Sequence, residues 1–291
     1  RCLSRGLGDV YKRQDRYLDF WSPVINIGRD PRWGRTQEGY GEDPFLVSEI
    51  SKAFIKGLQG DHPKYYKVLS APKHFVANNE EYRRHSGSSE VPMKILRDYY
   101  LPAFKSSIVD AGAQSIMTAY NALNGIPCTA NTFLLKDILR NEWQFPGWVV
   151  TDCGAIYDIH VNHKYVDDPV QAVALSLRAG TDLNCGSYFR LHLKDAFDQG
   201  LVTMEDIDQA LLRIFVSRIK LGVFDPPSMN PYSKISKDVV DSKHHQELAH
   251  EIALQSIVLL KNENDILPLQ KNIKSVAVIG PNANFCRFGT Y

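Results

Sequence analysis

Short apolar runs alternate with longer amphipathic stretches along most of the chain. The apolar runs predict β-strands at residues 21–27, 68–71, 115–119, 148–151 and 181–184. In the stretches between and after them, apolar residues recur every three or four positions, which predicts helices at residues 42–58, 94–110, 132–143, 169–179, 189–199 and 204–221. This repeated order of strand, loop and helix indicates a parallel α/β architecture.

Polar side chains follow every predicted strand. They lie at residues 29–35, 73–74, 120–121, 152 and 184–185. The active site of a (β/α)8 barrel is built at these carboxyl ends, whereas a doubly wound sheet gathers its ligand groups at one switch point. The first unit also lacks the Gly-rich phosphate loop that is usual in a doubly wound sheet. We therefore predict a (β/α)8 TIM-type barrel.

The pattern also predicts how the chain divides. Residues 1–14 resemble a translated adaptor remnant, and we expect them to be foreign to the fold. Residues 15–223 are shorter than the roughly 250 residues of a typical barrel, so we expect an incomplete barrel whose first strands lie upstream. Residues 224–242 are predicted to be a linker. A helix at 244–260 and a strand at 274–279 then predict the start of an α/β sandwich domain at 243–291, and we expect the chain to be truncated at both ends.

Composition narrows the function classes. The 291 residues carry a formal net charge of +1, which does not favour nucleic acid or an anionic membrane as a partner. None of the five cysteines has the close spacing of a zinc site, and no apolar run is long enough to span a membrane. We expect no metal and no cofactor. No signal-peptide pattern is present, so the location of the protein stays open.

Asp152 is the candidate for the central chemistry. The run VVTDCGA at residues 149–155 places this carboxyl group at the tip of an apolar strand, and Gly154 lets the loop turn close to a ligand. Retaining glycoside hydrolysis needs such a carboxylate as a nucleophile, together with a second carboxyl group as acid and base. A bland alternative is open at this point, because an Asp that follows a strand is often the N-cap of a helix.

Six segments resemble glycoside hydrolase family 3, the β-glucosidase and β-xylosidase family. They are WSPVINIGRDPRWGRTQEGYGEDP at 21–44, APKHFVANNEE at 71–81, IMTAYNALNGIPC at 116–128, FPGWVVTDCGAI at 145–156, LRAGTDLNCG at 177–186 and LQSIVLLKNENDILPL at 254–269. The segments occur in the family's order and cover nearly all of the chain after residue 20. The resemblance implies that Asp152 is the catalytic nucleophile.

The resemblance also implies roles for four other residues. Arg35 matches an arginine that holds a sugar hydroxyl and the nearby carboxylates, and a guanidinium suits such planar partners. Lys73 and His74 match a pair that binds the hydroxyls of the sugar next to the cleaved bond. Tyr120 matches a tyrosine beside the nucleophile, although it could instead be a core aromatic residue with a satisfied hydroxyl group.

Other charged residues near these motifs receive structural interpretations. Arg29 and Arg32 are expected to pair with acidic neighbours, at Asp30, Glu38 or Asp43. The loop after His74 carries four charged residues, Glu80, Glu81, Arg83 and Arg84. One of the two arginines could reach the site.

Cysteines indicate the branch of the family. Many of its β-glucosidases carry Trp directly after the nucleophile, but this chain has Cys153. The segments TDCG and DLNCG resemble the β-xylosidase branch more closely, which implies an exo-acting enzyme on terminal β-1,4-xylosyl residues. A smaller pocket wall would favour xylose, since xylose lacks the 6-hydroxymethyl group. Cys153 and Cys185 occupy matching positions after two strands and could form a disulfide, or they could be two buried thiols.

The resemblance implies that the acid/base glutamate lies beyond Tyr291, so we expect this stretch of chain to lack glycosidase activity without the remainder of the protein. The expected substrate is an oligosaccharide or an aryl or alkyl β-glycoside. Three alternatives stay open. They are a β-glucosidase of the same family, an inactive sugar-binding barrel, and an aldolase that uses Lys73 as a Schiff base, for which the sequence gives little support.

Overall fold

A computed structural model describes residues 18–285 of the chain. Among the described residues, Leu18 to Pro231 belong to one compact unit and Tyr232 to Phe285 to another, so the division lies inside the predicted linker of residues 224–242. The predicted remnant at 1–14 lies outside the described residues.

The first unit is built on parallel strands that pair in chain order. Strand β1 (Asp19–Phe20) pairs with β2 (Leu69–Ser70), and β4 (Ser115–Thr118) pairs with β7 (Trp148–Thr151). Three single parallel bridges complete the pairing. The bridge from Val24 to Lys73 continues the first pair, the bridge from Phe75 to Thr118 joins the two pairs, and the bridge from Val150 to Leu183 adds a fifth segment. Five neighbouring chain segments thus form one side of a parallel α/β barrel, as the sequence predicts.

The strand predicted at 68–71 is shortened to Leu69–Ser70, and two other predicted strands are reduced to single bridges. The run at 21–27 contributes only the bridge at Val24, because Pro23 has no N–H with which to continue the ladder. The run at 181–184 contributes only the bridge at Leu183, since Asp182 and Leu183 both donate their backbone N–H to the carbonyl of Val149. That doubled contact interrupts the regular spacing of a strand pair.

A small second sheet was not predicted. Strand β3 (Ser88–Ser89) pairs in parallel with β5 (Ala122–Leu123), which forms a hairpin with β6 (Ile126–Pro127). The turn of the hairpin is Asn124-Gly125, and both residues have positive φ angles of 49° and 83°. This dipeptide is the usual signal for a two-residue hairpin turn.

Helices cover the outer side of the strands. They are α1 (Pro44–Gln59), α2 (residues 93–110, in segments Met93–Ile95, Leu96–Tyr100, Pro102–Lys105 and Ser106–Asp110), α3 (Phe133–Glu142), α4 (Ala155–Val161), α5 (Pro169–Ala179), α6 (Tyr188–Asp198) and α7 (Met204–Lys220). Short 3₁₀ turns lie at Thr36–Glu38, Cys128–Ala130 and Pro227–Met229. All six helices predicted for the first unit are present, whereas α4 was not predicted. Parts of α2 and all of α3 are wound as π-helix, with i→i+5 bonds such as Leu101 N–H to Leu96 O.

The strand residues divide the core into layers. Ile116 and Val149 belong to the main hydrophobic cluster, which they share with residues of the helices. Their neighbours Met117 and Val150 belong to a separate cluster, together with Leu221. All four strand residues are at most 1% exposed, and burying a side chain of this kind stabilises the fold by about 1.5–3 kcal/mol. This packing fixes the strand ends that carry the candidate site.

The second unit contains α8 (Lys243–Ser256) and short 3₁₀ turns at Lys237–Val239 and Glu263–Asp265, and one more 3₁₀ turn, Pro231–Lys234, begins at the last residue of the first unit. The start of the predicted helix at 244–260 is therefore right, but its last turn is extended. No strand forms at 274–279, and Ile279 is 91% exposed. A strand needs a ladder partner for its backbone groups, and residues 232–285 do not provide one.

Candidate active site

The predicted site residues come from four neighbouring strand ends. Arg35 lies in the loop after the first segment, Lys73 and His74 end the second, Tyr120 follows β4, and Asp152 follows β7. Because these segments are parallel neighbours, their carboxyl ends meet at the same edge of the barrel. Arg35, His74, Tyr120 and Asp152 are linked by short contacts there, whereas Lys73 is placed among them by its position in the strand.

Asp152 is held at the tip of β7 with its side chain 14% exposed. Its Oδ1 accepts a hydrogen bond from the backbone N–H of Cys153 at 2.8 Å, and its Oδ2 lies 3.5 Å from His74 Nε2. The N-cap of α4 is Gly154, with a φ angle of 84° and no side-chain cap. The Asp152 side chain therefore does not cap α4, and it lies instead against the predicted site residues.

Arg35 and His74 form one buried group beside Asp152. The Arg35 guanidinium makes a two-pronged ion pair with Glu38, at 3.0 and 2.8 Å, and its Nη1 lies 3.2 Å from His74 Nε2. The side chains of Arg35 and His74 are 9% and 1% exposed. A charged guanidinium at this depth is stabilised by its carboxylate partner.

Lys73 has a buried side chain, 6% exposed. Its backbone continues the pairing of the first two segments, donating to Pro23 O at 3.0 Å and accepting from Ile25 N–H at 2.9 Å. These bonds fix its position directly before His74.

Tyr120 lies against Asp152 and the loop that carries it. Its hydroxyl donates to the backbone carbonyl of Cys153 at 2.9 Å. Burial raises the pKa of the Tyr120 phenol well above its usual range, and the negative charge of Asp152 raises it further. The phenol therefore stays protonated and keeps its ability to donate a hydrogen bond.

A network over the Tyr120 ring was only partly anticipated. The Arg84 guanidinium lies 5.0 Å from the ring centroid and pairs with Glu81, which also accepts from the Trp33 indole N–H. The His85 ring lies 4.4 Å from the Tyr120 ring. Of the two loop arginines, Arg84 is the one that reaches the site.

Several residues of this region have partners that differ from those expected or were not anticipated. Arg32 pairs with Asp30 as predicted, but Arg29 donates to the hydroxyl of Tyr100 at 3.1 Å instead of meeting an acidic residue. Arg83 pairs with Glu80 at the surface, so it does not contact the site. Buried Asp158 binds His85 Nδ1 at 2.7 Å, a contact that no local pattern indicated because the two residues are 73 positions apart.

A disulfide joins Cys153 to Cys185, as hypothesised from their matching positions. The Gly154 N–H also donates to Cys185 O at 2.8 Å. The loop that carries Asp152 is therefore fastened to the end of the next barrel segment by a covalent bond and a hydrogen bond.

Two negative findings apply to residues 18–285. No three His, Cys, Asp or Glu side chains group there closely enough to hold a metal ion. None of the helices in this part of the chain combines the length and apolar character that a bilayer span requires.

Comparison with known proteins identifies the family that the chain resembles. Residues 16–216 match the glycosyl hydrolase family 3 N-terminal domain, and residues 257–291 match the C-terminal domain of that family. The chain is 45% identical over 275 residues to a protein of Aspergillus clavatus named as a probable exo-1,4-β-xylosidase, covering 92% of this chain and 35% of that protein.

Comparison with solved structures indicates the same family. A family 3 exo-β-xylosidase in complex with a xylobiose aziridine activity-based probe superimposes with a TM-score of 0.88 and 40% identity, over 92% of this chain and 35% of that one. A β-glucosidase from Listeria innocua gives a TM-score of 0.79 and 32% identity, over 87% of this chain and 36% of that one. The chain thus spans about a third of the length of these relatives. The matched domains, the sequence identity and the fold agree, and the chain belongs to glycosyl hydrolase family 3.

Proposed function

We propose that the whole protein is a retaining β-glycosidase in which Asp152 is the nucleophile. The observation that carries this proposal is the setting of the Asp152 carboxylate. It lies at a barrel strand end, receives a hydrogen bond from Cys153 N–H, and faces His74 at 3.5 Å. A carboxylate that attacks an anomeric carbon must be oriented and reachable, and this setting provides an orienting hydrogen bond to a side chain that is 14% exposed.

The reaction takes two displacements. Asp152 attacks the anomeric carbon while an acid protonates the departing glycosidic oxygen, and water then hydrolyses the covalent glycosyl-enzyme. Near Asp152, Glu38 pairs with Arg35, Glu81 with Arg84, and Asp158 with His85. We place the acid/base glutamate beyond Tyr291, in the remainder of the protein, as the resemblance to family 3 implies.

The neighbouring side chains bind and orient the sugar. Arg35 and His74 present nitrogen atoms within 3.2 Å of each other beside Asp152, and Lys73 enters from the same strand end. Hydroxyl groups of a sugar can accept hydrogen bonds from Arg35 and Lys73, and they can donate to or accept from the His74 imidazole. The Tyr120 hydroxyl holds the Cys153 carbonyl and so steadies the loop on which Asp152 sits.

The substrate we propose is a terminal β-1,4-linked xylosyl residue. The support is the similarity to proteins named as exo-β-xylosidases and the cysteine that follows Asp152 in place of tryptophan. A β-glucosidase is the second candidate, because β-glucosidase structures also superimpose on the chain. The ratio of kcat/KM for 4-nitrophenyl β-xyloside to that for the β-glucoside, measured on the whole protein, separates the two. A ratio above one supports the xylosidase, and a ratio below one supports the glucosidase.

The nucleophile is tested by Asp152→Asn in the whole protein. We expect kcat to fall by at least about 10³-fold, because the amide cannot form the covalent ester. Asp137→Asn, the same change at an exposed position of α3, is the matched control and should leave kcat unchanged. Azide added to Asp152→Gly should restore turnover and give the glycosyl azide of inverted configuration. Binding of xylose without turnover by the unaltered protein would instead indicate an inactive sugar-binding barrel.

A further inference from the structure

One residue outside the predicted set controls the geometry of His74. Asn26 is 2% exposed and lies in the first barrel segment, two positions after the bridge at Val24. Its side chain makes three contacts with His74. Oδ1 accepts from the backbone N–H at 2.8 Å and lies 2.9 Å from ring Nδ1, while Nδ2 donates to the His74 carbonyl at 3.2 Å.

The two backbone contacts fix which way the amide faces. A backbone N–H can only donate, so the atom it meets must be the amide oxygen of Asn26. A backbone carbonyl can only accept, so the atom it meets must be the amide nitrogen. The atom that faces His74 Nδ1 is therefore an acceptor, and Nδ1 must carry a proton.

The tautomer at Nδ1 decides what Nε2 offers to the site. With a proton on Nδ1, the neutral imidazole has its lone pair on Nε2. Nε2 lies 3.2 Å from the donor Nη1 of Arg35 and 3.5 Å from Oδ2 of Asp152. The lone pair can accept from Arg35, whereas the opposite tautomer would turn an N–H toward the guanidinium.

We propose that Asn26 is a positioning residue that acts through His74. It holds the imidazole in the Nδ1–H form and at the angle that directs Nε2 between Arg35 and Asp152. This inference rests on the proposed function, because it assigns the way in which one side chain of that site is kept ready for the sugar. Without Asn26 the ring can rotate and exchange tautomers, so that Nε2 no longer presents one fixed group to the substrate.

The test is a double-mutant cycle in the whole protein. Asn26→Ala should lower kcat/KM for 4-nitrophenyl β-xyloside by about 10- to 100-fold, the range found when a group that orients a site residue is removed. In a His74→Ala background the same change should lower kcat/KM by no more than about threefold, because the residue through which Asn26 acts is gone. If Asn26→Ala lowers kcat/KM by the same factor in both backgrounds, Asn26 only supports the fold, and the proposal is wrong.

A matched control separates lost backbone bonds from lost positioning. Asn124 binds the backbone N–H and carbonyl of Val91 in the same way, at 2.7 and 3.0 Å, but contacts no site residue. Asn124→Ala should lower the melting temperature and leave kcat/KM within about threefold of the unaltered protein. If Asn26→Ala does not fold, the cycle is repeated with Asn26→Ser, which keeps a small polar side chain at this buried position.

The outcomes keep the two proposals apart. An unaltered whole protein that turns over no β-glycoside contradicts the proposed function. If the protein is active but the fold-losses in kcat/KM from Asn26→Ala and His74→Ala simply multiply, only the proposed role of Asn26 is contradicted, and the proposed function stands.

Discussion

Removing the disulfide between Cys153 and Cys185 should weaken the barrel and lower activity together. The bond closes a loop with a sequence separation of 32 residues. In the chain-entropy account, opening a loop of that length costs about 3.7 kcal/mol of stability through the greater freedom of the unfolded chain. The perturbation is Cys185→Ala in the whole protein, with the double variant Cys153→Ala/Cys185→Ala to remove the remaining thiol.

The effect on activity follows from what the Cys153 backbone holds. Its N–H donates to Asp152 Oδ1 and its carbonyl accepts from the Tyr120 hydroxyl, so a shift of this residue moves both side chains. A displacement near 1 Å at a catalytic group can cost about 10²-fold in rate, and we expect a partial shift to lower kcat by about tenfold.

The assay pairs urea unfolding with steady-state kinetics, each with and without dithiothreitol. Dithiothreitol should bring the unaltered protein close to the double variant and should leave the double variant unchanged. Peptide mapping under non-reducing conditions should find the two cysteine-containing peptides linked. Two free thiols in that map, or a reduced protein with unchanged stability and kcat, would refute the reasoning.

Three further predictions concern single side chains of the whole protein. Arg140→Met should destabilise the barrel by about 1–3 kcal/mol in urea unfolding, because buried Asp182 loses one of its two arginine partners and keeps only Arg213; no measurable loss would contradict this. Burial raises the pKa of Asp19 from 3.8 to about 7, so folding takes up a proton between those values, and the free energy of unfolding should fall by about 3 kcal/mol as pH rises from 4 to 7. Asp19→Asn should flatten that profile, and an unchanged slope would show that another group causes it. Tyr120→Phe should lower kcat about tenfold through loss of the hydrogen bond to Cys153, with KM nearly unchanged; a rise in KM alone would instead place the hydroxyl on the substrate.

The order of strands and helices could be predicted because it depends on local periodicity. The runs at 115–119 and 148–151 closely match β4 and β7, and the five strand ends meet as a parallel architecture requires. Their meeting is what brings His74 and Asp152 to a contact of 3.5 Å across 78 positions of sequence. Motif resemblance supplied the candidate roles, which the geometry is compatible with.

The partners within the site could not be predicted, because they depend on distances that no local pattern encodes. Asn26 lies inside an apolar run and has nothing in its neighbourhood to link it with His74, 48 positions away. Glu38 could pair with any of several nearby arginines, and only the folded loop selects Arg35. The Asn124-Gly125 turn is the exception, since its sequence signal was present and would have revealed the small hairpin.

The central claim is that Asp152 forms the covalent bond to the sugar. The most direct test treats the whole protein with 2,4-dinitrophenyl 2-deoxy-2-fluoro-β-xyloside, which slows the second displacement so that the glycosyl-enzyme accumulates. Peptide mass spectrometry should then find one fluoroxylosyl group on the peptide that contains Asp152, with fragmentation placing it on that side chain. A label on any other carboxylate, or an active enzyme that accumulates no covalent intermediate and releases the inverted sugar, would contradict the account.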